Sequence, residues 1–139
     1  MKILARVLPF FIVCLAITAC RADVHEVTSS IEFDQIITSE PRVVVEFTSS
    51  SAVHDRYGQI FEKVSGLPEF SGYKFLMVDV GKHRGIAMRH SGVSSVSMLS
   101  SSLSIPTTKF FKNGHEISEL QGAVGEATLK SEISKMLGK

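Results

Sequence analysis

Tryptophan is absent from this chain of 139 residues, and its only sulfur nucleophiles are Cys14 and Cys20. Both cysteines lie in an apolar N-terminal stretch, and no cysteine occurs from residue 21 onward. A domain beyond that point therefore folds without an intramolecular disulfide, although small secreted domains often use one. No run of lysine and arginine with interleaved aromatic residues occurs either, which argues against nucleic-acid binding. The length and the 44% hydrophobic content favour one domain with a sizeable core.

The first 22 residues have the pattern of a secretory signal peptide. Two basic residues precede an apolar run of 13 residues that ends at Cys20, and the first acidic residue is Asp23. This run is shorter than the roughly 20 residues that a helix needs to cross a bilayer. We therefore expect a cleaved signal peptide at residues 1–22, a domain at residues 23–139, and entry into the secretory pathway, with secretion or residence in the endoplasmic reticulum lumen.

Two kinds of cleavage fit this N-terminus. Cleavage after Ala22 would leave a chain without cysteine and would change the formal net charge from +1 to −2, with 12 basic and 14 acidic residues remaining. Alternatively, Ile17-Thr18-Ala19-Cys20 resembles a bacterial lipobox, so that a lipid on Cys20 would anchor a periplasmic lipoprotein. Contact with a membrane is expected only in that second case.

Hydrophobic patterning predicts alternating strands and helices. The run Val43 to Phe47 is typical of a strand buried on both faces, and apolar residues recur at helical spacing from Val53 to Ser65. Asn113-Gly114 between two β-like runs predicts a hairpin. The predicted order is strand-helix-strand-helix-strand-helix-strand-strand-helix, which describes an α/β fold with a central mixed sheet flanked by helices.

Three pieces occur in the order and nearly the spacing of a thioredoxin domain: Val43 to Phe47, Phe75 to Asp79, and Ile105 to Gly114 with Gly122 downstream. On these residues the chain resembles the thioredoxin-like superfamily from about Asp23 to Gly138. The N-terminal signal and the Glu46-Phe47 pair make it similar to the disulfide isomerase branch. The resemblance implies the thioredoxin-like fold.

The residues at the active-site positions of that family lack sulfur. Aligned on Phe47, the positions of the C-x-x-C cysteines fall at Ala52 and Asp55, and aligned on the helix that follows they fall at Ser51 and His54. Thiol-disulfide exchange needs one thiolate to attack and a second thiol to resolve the mixed disulfide. The resemblance with this departure predicts a redox-inactive domain with no catalytic residue at these positions.

Other family features remain. Glu46 matches the partly buried acid, and it is either a hydrogen-bonded residue at the edge of the core or an active group. Pro106 matches the cis-proline, which either fixes a turn or exposes a backbone edge for a peptide. A Ser-rich insertion at about residues 94–104 precedes it and is either a tolerated surface loop or an extension of that groove. The binding residues implied by the resemblance are Ser49, Ser50, Val53, Ile105, Pro106 and Thr107.

Other constellations are weak. Ser51, His54 and Asp55 have the residue types of a hydrolytic triad without its geometry, and His83 and His90 lack a third metal ligand, which favours a solvated or capping role. We expect no cofactor and no metal. The leading functional hypothesis is a redox-inactive, secreted or lumenal module that binds unfolded or extended polypeptide, or a protein partner, as a chaperone or adaptor. The alternatives are membership of a thiol-disulfide oxidoreductase family by descent, and a structural scaffolding subunit.

Overall fold

The β-branched run Val43 to Val45 lies at the centre of a five-stranded mixed sheet. The computed structural model describes residues 23–49, 56–91 and 106–137. Its elements follow the predicted order: β1 (Val24–Glu26), α1 (Ser30–Ser39), β2 (Arg42–Thr48), α2 (Arg56–Ser65), a short 3-10 helix (Pro68–Phe70), β3 (Lys74–Asp79), α3 (Arg84–Ser91), β4 (Thr107–Lys112), β5 (His115–Gln121) and α4 (Glu126–Leu137).

The strands are ordered β1-β3-β2-β4-β5 in space. β1 and β2 both run parallel to β3, while β4 is antiparallel to β2 and β5 is antiparallel to β4. Segments that contain helices connect the parallel strands, because parallel neighbours need a long crossover connection. A tight turn is enough to connect the antiparallel strands β4 and β5. The predicted mixed sheet flanked by helices is confirmed.

Local residue chemistry explains where several elements begin and end. The Ser29 side chain accepts a hydrogen bond from the Glu32 amide at 3.1 Å and caps α1. In the hairpin between β4 and β5, Asn113 and Gly114 have φ angles of 52° and 85°. Both angles lie in the left-handed region that this two-residue turn requires, so the predicted hairpin is confirmed.

Helices cover both faces of the sheet and form two cores. On the face of α1 and α3, Val43, Val45 and Phe47 pack with residues of those helices. On the other face, Val44 and Phe110 pack with residues of α2 and α4. Six phenylalanines are buried in these two cores: Phe33, Phe47, Phe61, Phe75, Phe110 and Phe111. Burial of the β2 side chains on both faces confirms its place in the sheet interior.

Some predictions lie outside the described residues. These are the signal peptide at residues 1–22 and the Ser-rich insertion at residues 94–104. Within the three described ranges, no helix has the length and apolar character needed to cross a membrane.

One irregularity distinguishes the antiparallel part of the sheet. The pairing of β4 with β5 shifts register between Phe110 and Phe111, which face Ser118 and Glu116 respectively. Ile117 is therefore the extra residue of a β-bulge, and it is 42% exposed. The bulge places Glu116 and Glu119 on the same face of β5, where both contact the buried Lys109 side chain.

Candidate functional site

The candidate site lies where three strand ends meet. β2 and β3 are parallel, so their carboxyl ends share one edge of the sheet, and the antiparallel β4 begins at the same edge. Phe47 near the end of β2 faces Thr107 at the start of β4. The Thr48 carbonyl accepts a hydrogen bond from the Val80 amide at 2.8 Å. Ligands of open α/β sheets bind outside the carboxyl ends of the parallel strands, which makes this edge the natural place for a site.

A hydrogen bond from the loop after β5 also holds the start of β4 in place. The Pro106 carbonyl accepts a hydrogen bond from the Gly122 amide at 2.8 Å. Gly122 has a φ of 79°, a value that glycine adopts without strain. The loop between β5 and α4 is therefore held next to Pro106.

The structure describes part of the predicted site. Ser49 is half-buried at the end of β2, while Pro106 and Thr107 are buried. Thr107 pairs with strands on both sides, so it supports the site from inside the sheet. The remaining predicted residues lie outside the described ranges: Ser50, Ser51, Ala52, Val53, His54, Asp55 and Ile105. The cis geometry predicted for Pro106 concerns the peptide bond to Ile105 and also lies outside them.

Glu46 is buried, with 2% exposure, and it has polar neighbours that sequence reasoning missed. Its register partner on β4 is Thr108, which is fully buried. The Thr108 hydroxyl shares a hydrogen bond with the Tyr57 hydroxyl from the first turn of α2. Directly opposed residues on antiparallel strands have Cβ atoms about 5 Å apart. A carboxyl group and a hydroxyl pair thus lie together beneath the amino end of α2.

The sequence contained a signal for part of this arrangement. Thr107, Thr108 and Lys109 are three polar residues at the start of a strand that is otherwise apolar at its centre, and all three are buried. Buried polar groups need partners, so their presence predicts a polar network under a neighbouring element. Tyr57 could not be predicted as the partner, because its spacing in α2 is equally typical of an apolar core residue. Its role depends on how α2 packs against the sheet.

A shallow cleft of about 240 Å³ opens beside the candidate site. One wall is the start of α2, and the other is the loop that enters α4. The residues that line it are Arg56, Tyr57, Ile60, Ala123, Val124 and Gly125. Because Gly122 ties the same loop to Pro106, the cleft continues the surface at the start of β4.

No group of three or more metal-ligating side chains occurs in the part of the chain that the structure describes. The interpretation of His90 as a solvated or capping residue is incorrect, because its ring packs against three phenylalanines. The ring centroids lie 5.2 Å from Phe33, 5.4 Å from Phe111 and 6.3 Å from Phe47. Sequence spacing alone did not reveal this, since α3 has few apolar residues.

The fold and this edge of the sheet define a thioredoxin-like domain, and comparison with known proteins agrees. The structure matches that of a Malassezia sympodialis thioredoxin with a TM-score of 0.67 and 27% identity, over 84% of this chain and 92% of that one. It matches the solution structure of oxidised Plasmodium falciparum thioredoxin with a TM-score of 0.62 and 29% identity, over 81% of this chain and 96% of that one.

Sequence comparison supplies the family. The chain is 33% identical to thioredoxin-3 of Dictyostelium discoideum over 111 residues, which are 79% of this chain and 93% of that protein. It is 34% identical to a thioredoxin of Ictalurus punctatus over 93 residues, which are 66% of this chain and 77% of that protein. No family model matches the chain. On these relatives, the chain belongs to the thioredoxin family.

This relationship corrects two predictions. The matched relatives are thioredoxins, a class of thiol-disulfide oxidoreductases, so the predicted redox-inactive chaperone or adaptor role is wrong. The predicted localisation in the secretory pathway is contradicted by the same relatives, which bear the names of thioredoxins and not of disulfide isomerases. Both errors came from giving the absent C-x-x-C motif and the apolar N-terminus more weight than the similarity of the whole domain.

Proposed function

We propose that this protein functions as a thioredoxin, a thiol-disulfide oxidoreductase that acts on disulfides of protein substrates. The observation that carries the proposal is the 33% identity to a thioredoxin across 93% of that relative's length. The fold supports it, because the strand ends at Thr48, Pro106 and Thr107 form the type of sheet edge at which ligands of α/β folds bind.

The only cysteines of the chain, Cys14 and Cys20, would supply the thiols, so this function requires a protein that keeps residues 1–22, unlike the cleaved form that the signal-peptide pattern predicts. One thiolate attacks a sulfur of the substrate disulfide, the substrate S–S bond breaks, and a mixed disulfide forms. The second thiolate then attacks that mixed disulfide and releases the reduced substrate. The substrate gains two electrons and two protons, the two cysteines become a disulfide, and an external dithiol reduces them again. Positions Ser51 to Asp55 contribute no sulfur to this exchange.

The substrate's extended segment would lie along the edge formed by Ser49 and Pro106, with Ser50, Val53 and Ile105 as further contacts. Two features support this placement. The half-buried Ser49 and the cleft at Arg56 flank the start of β4, and the hydrogen bond from Gly122 holds Pro106 in place. An extended peptide beside a strand end is recognised mainly through its backbone, so one such surface suits many protein substrates.

The test is reduction of insulin disulfides by the full chain with dithiothreitol as the electron donor. The wild-type chain is expected to accelerate reduction above dithiothreitol alone, and the double variant Cys14→Ser/Cys20→Ser is expected to lose that acceleration. Ala19→Ser introduces the same hydroxyl beside Cys20 without removing a thiol, and it should retain activity. A wild-type chain that reduces insulin no faster than dithiothreitol alone would contradict the proposed function.

A further inference from the structure

The half-buried His90 ring packs against aromatic side chains from three elements. It packs against Phe33 of α1, Phe47 of β2 and Phe111 of β4. The plane of the His90 ring meets the planes of Phe33 and Phe111 at 61° and 82°, so both contacts are edge-on. His90 belongs to the last turn of α3, so this packing attaches the end of that helix to the sheet. An uncharged imidazole suits such a site, because transfer of a cation into apolar surroundings is costly.

Four charged residues influence the protonation of the ring. Asp34 of α1 and Glu116 of β5 favour a proton on His90, whereas Arg89 of α3 and Lys109 of β4 oppose it. Burial is the largest influence, and it lowers the pKa of His90 below the ordinary value of 6.5. The neutral ring is therefore the form that the closed structure holds.

We propose that His90 is an acid-sensitive latch, which holds the last turn of α3 against the sheet at neutral pH and favours its release on mild acidification. The inference does not depend on the proposed oxidoreductase function. It depends on the aromatic enclosure of an ionisable ring at the end of a helix.

The direction of the effect follows from proton linkage. A released His90 takes up a proton with an ordinary affinity, whereas the enclosed ring resists it, so acid favours release. The stabilising effect of the latch is present above pH 6.5 and is lost as the pH falls through the lowered pKa. Where only the released ring is protonated, the opening equilibrium grows roughly tenfold for each pH unit below about 6.

Lys109 and two glutamates form an ion cluster beside the ring. Lys109 donates hydrogen bonds to Glu116 and to Glu119, and its ammonium lowers the pKa of Glu119. Glu119 therefore remains ionised on mild acidification. His90 is the group in this cluster whose charge changes on mild acidification.

The latch lies close to the candidate functional site. Phe47, one of the rings that enclose His90, faces Thr107 at the start of β4. Release of His90 leaves one side of Phe47 without its packing partner. The state of the latch is therefore transmitted to the strand pair that carries the site.

Amide hydrogen exchange of the full chain, followed by NMR between pH 7.5 and 5.0, tests this proposal. After correction for intrinsic exchange, the opening of Arg89 and His90 should increase by up to about fivefold from pH 6.5 to pH 5.5. The variant His90→Phe keeps an aromatic ring without a titrating group, and its opening should not vary with pH. The variant His83→Gln removes a histidine at the other end of α3 and should retain the wild-type dependence.

Three results would overturn the latch. The first is an unchanged pH dependence in His90→Phe. The second is an equal increase for the amides of Val44 and Val45 in the central strand, because this would indicate global unfolding. The third applies even where His90→Phe does not fold: a titration of the His90 ring protons in the wild-type chain with a midpoint at or above 6.5.

Discussion

Lys109 and Glu119 face each other directly across β4 and β5, and the Lys109 Nζ donates a hydrogen bond to Glu119 Oε2 at 3.1 Å. The same ammonium also contacts Glu116, three residues before Glu119. In a regular strand, residues three apart point to opposite faces. The extra residue Ile117 of the bulge places Glu116 and Glu119 on the same face of β5. The buried Lys109 ammonium therefore has two carboxylate partners.

This arrangement predicts that removing both carboxylates lowers the free energy of unfolding more than removing the lysine cation does. The Lys109 side chain is only 4% exposed, so the double variant Glu116→Gln/Glu119→Gln leaves a buried charge without compensation. We expect it to lose about 2–3 kcal/mol of unfolding free energy, measured by urea denaturation. Lys109→Met replaces the cation with an apolar chain of similar length, and it should remain within about 1 kcal/mol of the wild type.

The exposed ion pair between Lys63 and Glu126 provides the matched control. Its atoms lie 2.9 Å apart, but the Lys63 side chain is 63% exposed. Because solvent screens such pairs, Lys63→Met should change the free energy of unfolding by less than about 1 kcal/mol. An equal loss in Lys63→Met and in the double glutamine variant would show that burial of Lys109 is not what makes its pairs important.

A second prediction concerns the buried hydroxyl pair of Tyr57 and Thr108. Tyr57→Phe removes one partner and leaves the Thr108 hydroxyl buried, at a cost of about 1–2 kcal/mol. Thr108→Val should cost a similar amount. The double variant should be less destabilised than the sum of the two, with a coupling energy of about 1 kcal/mol in urea denaturation. Strict additivity would mean that the two hydroxyls do not depend on each other.

The hairpin turn yields a third prediction. Gly114 has a φ of 85°, so a side chain at this position strains the backbone wherever it points. Gly114→Ala should therefore destabilise the protein by about 1 kcal/mol in thermal or urea unfolding. Gly72 is the control, since a Cβ there would meet no atom within 4 Å and its φ is not in the left-handed region. If Gly72→Ala destabilises as much as Gly114→Ala, the backbone conformation of the turn is not the cause.

The fold was predictable because its signals are local. The run Val43 to Phe47 and the Asn113-Gly114 turn each determine an element from a few neighbouring residues. The order of these elements then leaves few ways to build a sheet. The predicted topology followed from these positions.

The packing of polar residues was not predictable in the same way. His90 and Lys109 are ordinary surface residue types, and their burial depends on where α3 and the bulge of β5 meet the sheet. The function could not be obtained from Ser51 to Asp55 either. A missing motif indicates what those positions cannot do, whereas similarity across the domain indicates the family.

The last prediction concerns Thr48, at the end of β2 beside the candidate site. Its side-chain hydroxyl is buried, and no hydrogen-bond partner for it occurs among the described residues. A buried hydroxyl without a partner is unfavourable, so Thr48→Val, which has nearly the same shape, should raise the free energy of unfolding by up to about 1 kcal/mol. Urea denaturation measures this gain.

The same variant shows whether the hydroxyl at position 48 serves the site. Unpartnered polar groups persist where function needs them, so Thr48→Val should slow insulin reduction while it stabilises the fold. Thr38→Val is the control, because Thr38 is exposed on α1 and its hydroxyl bonds only to carbonyls of its own helix. It should leave the rate of reduction unchanged. A Thr48→Val protein that is both less stable and fully active would show that the hydroxyl has a structural partner and no role at the site.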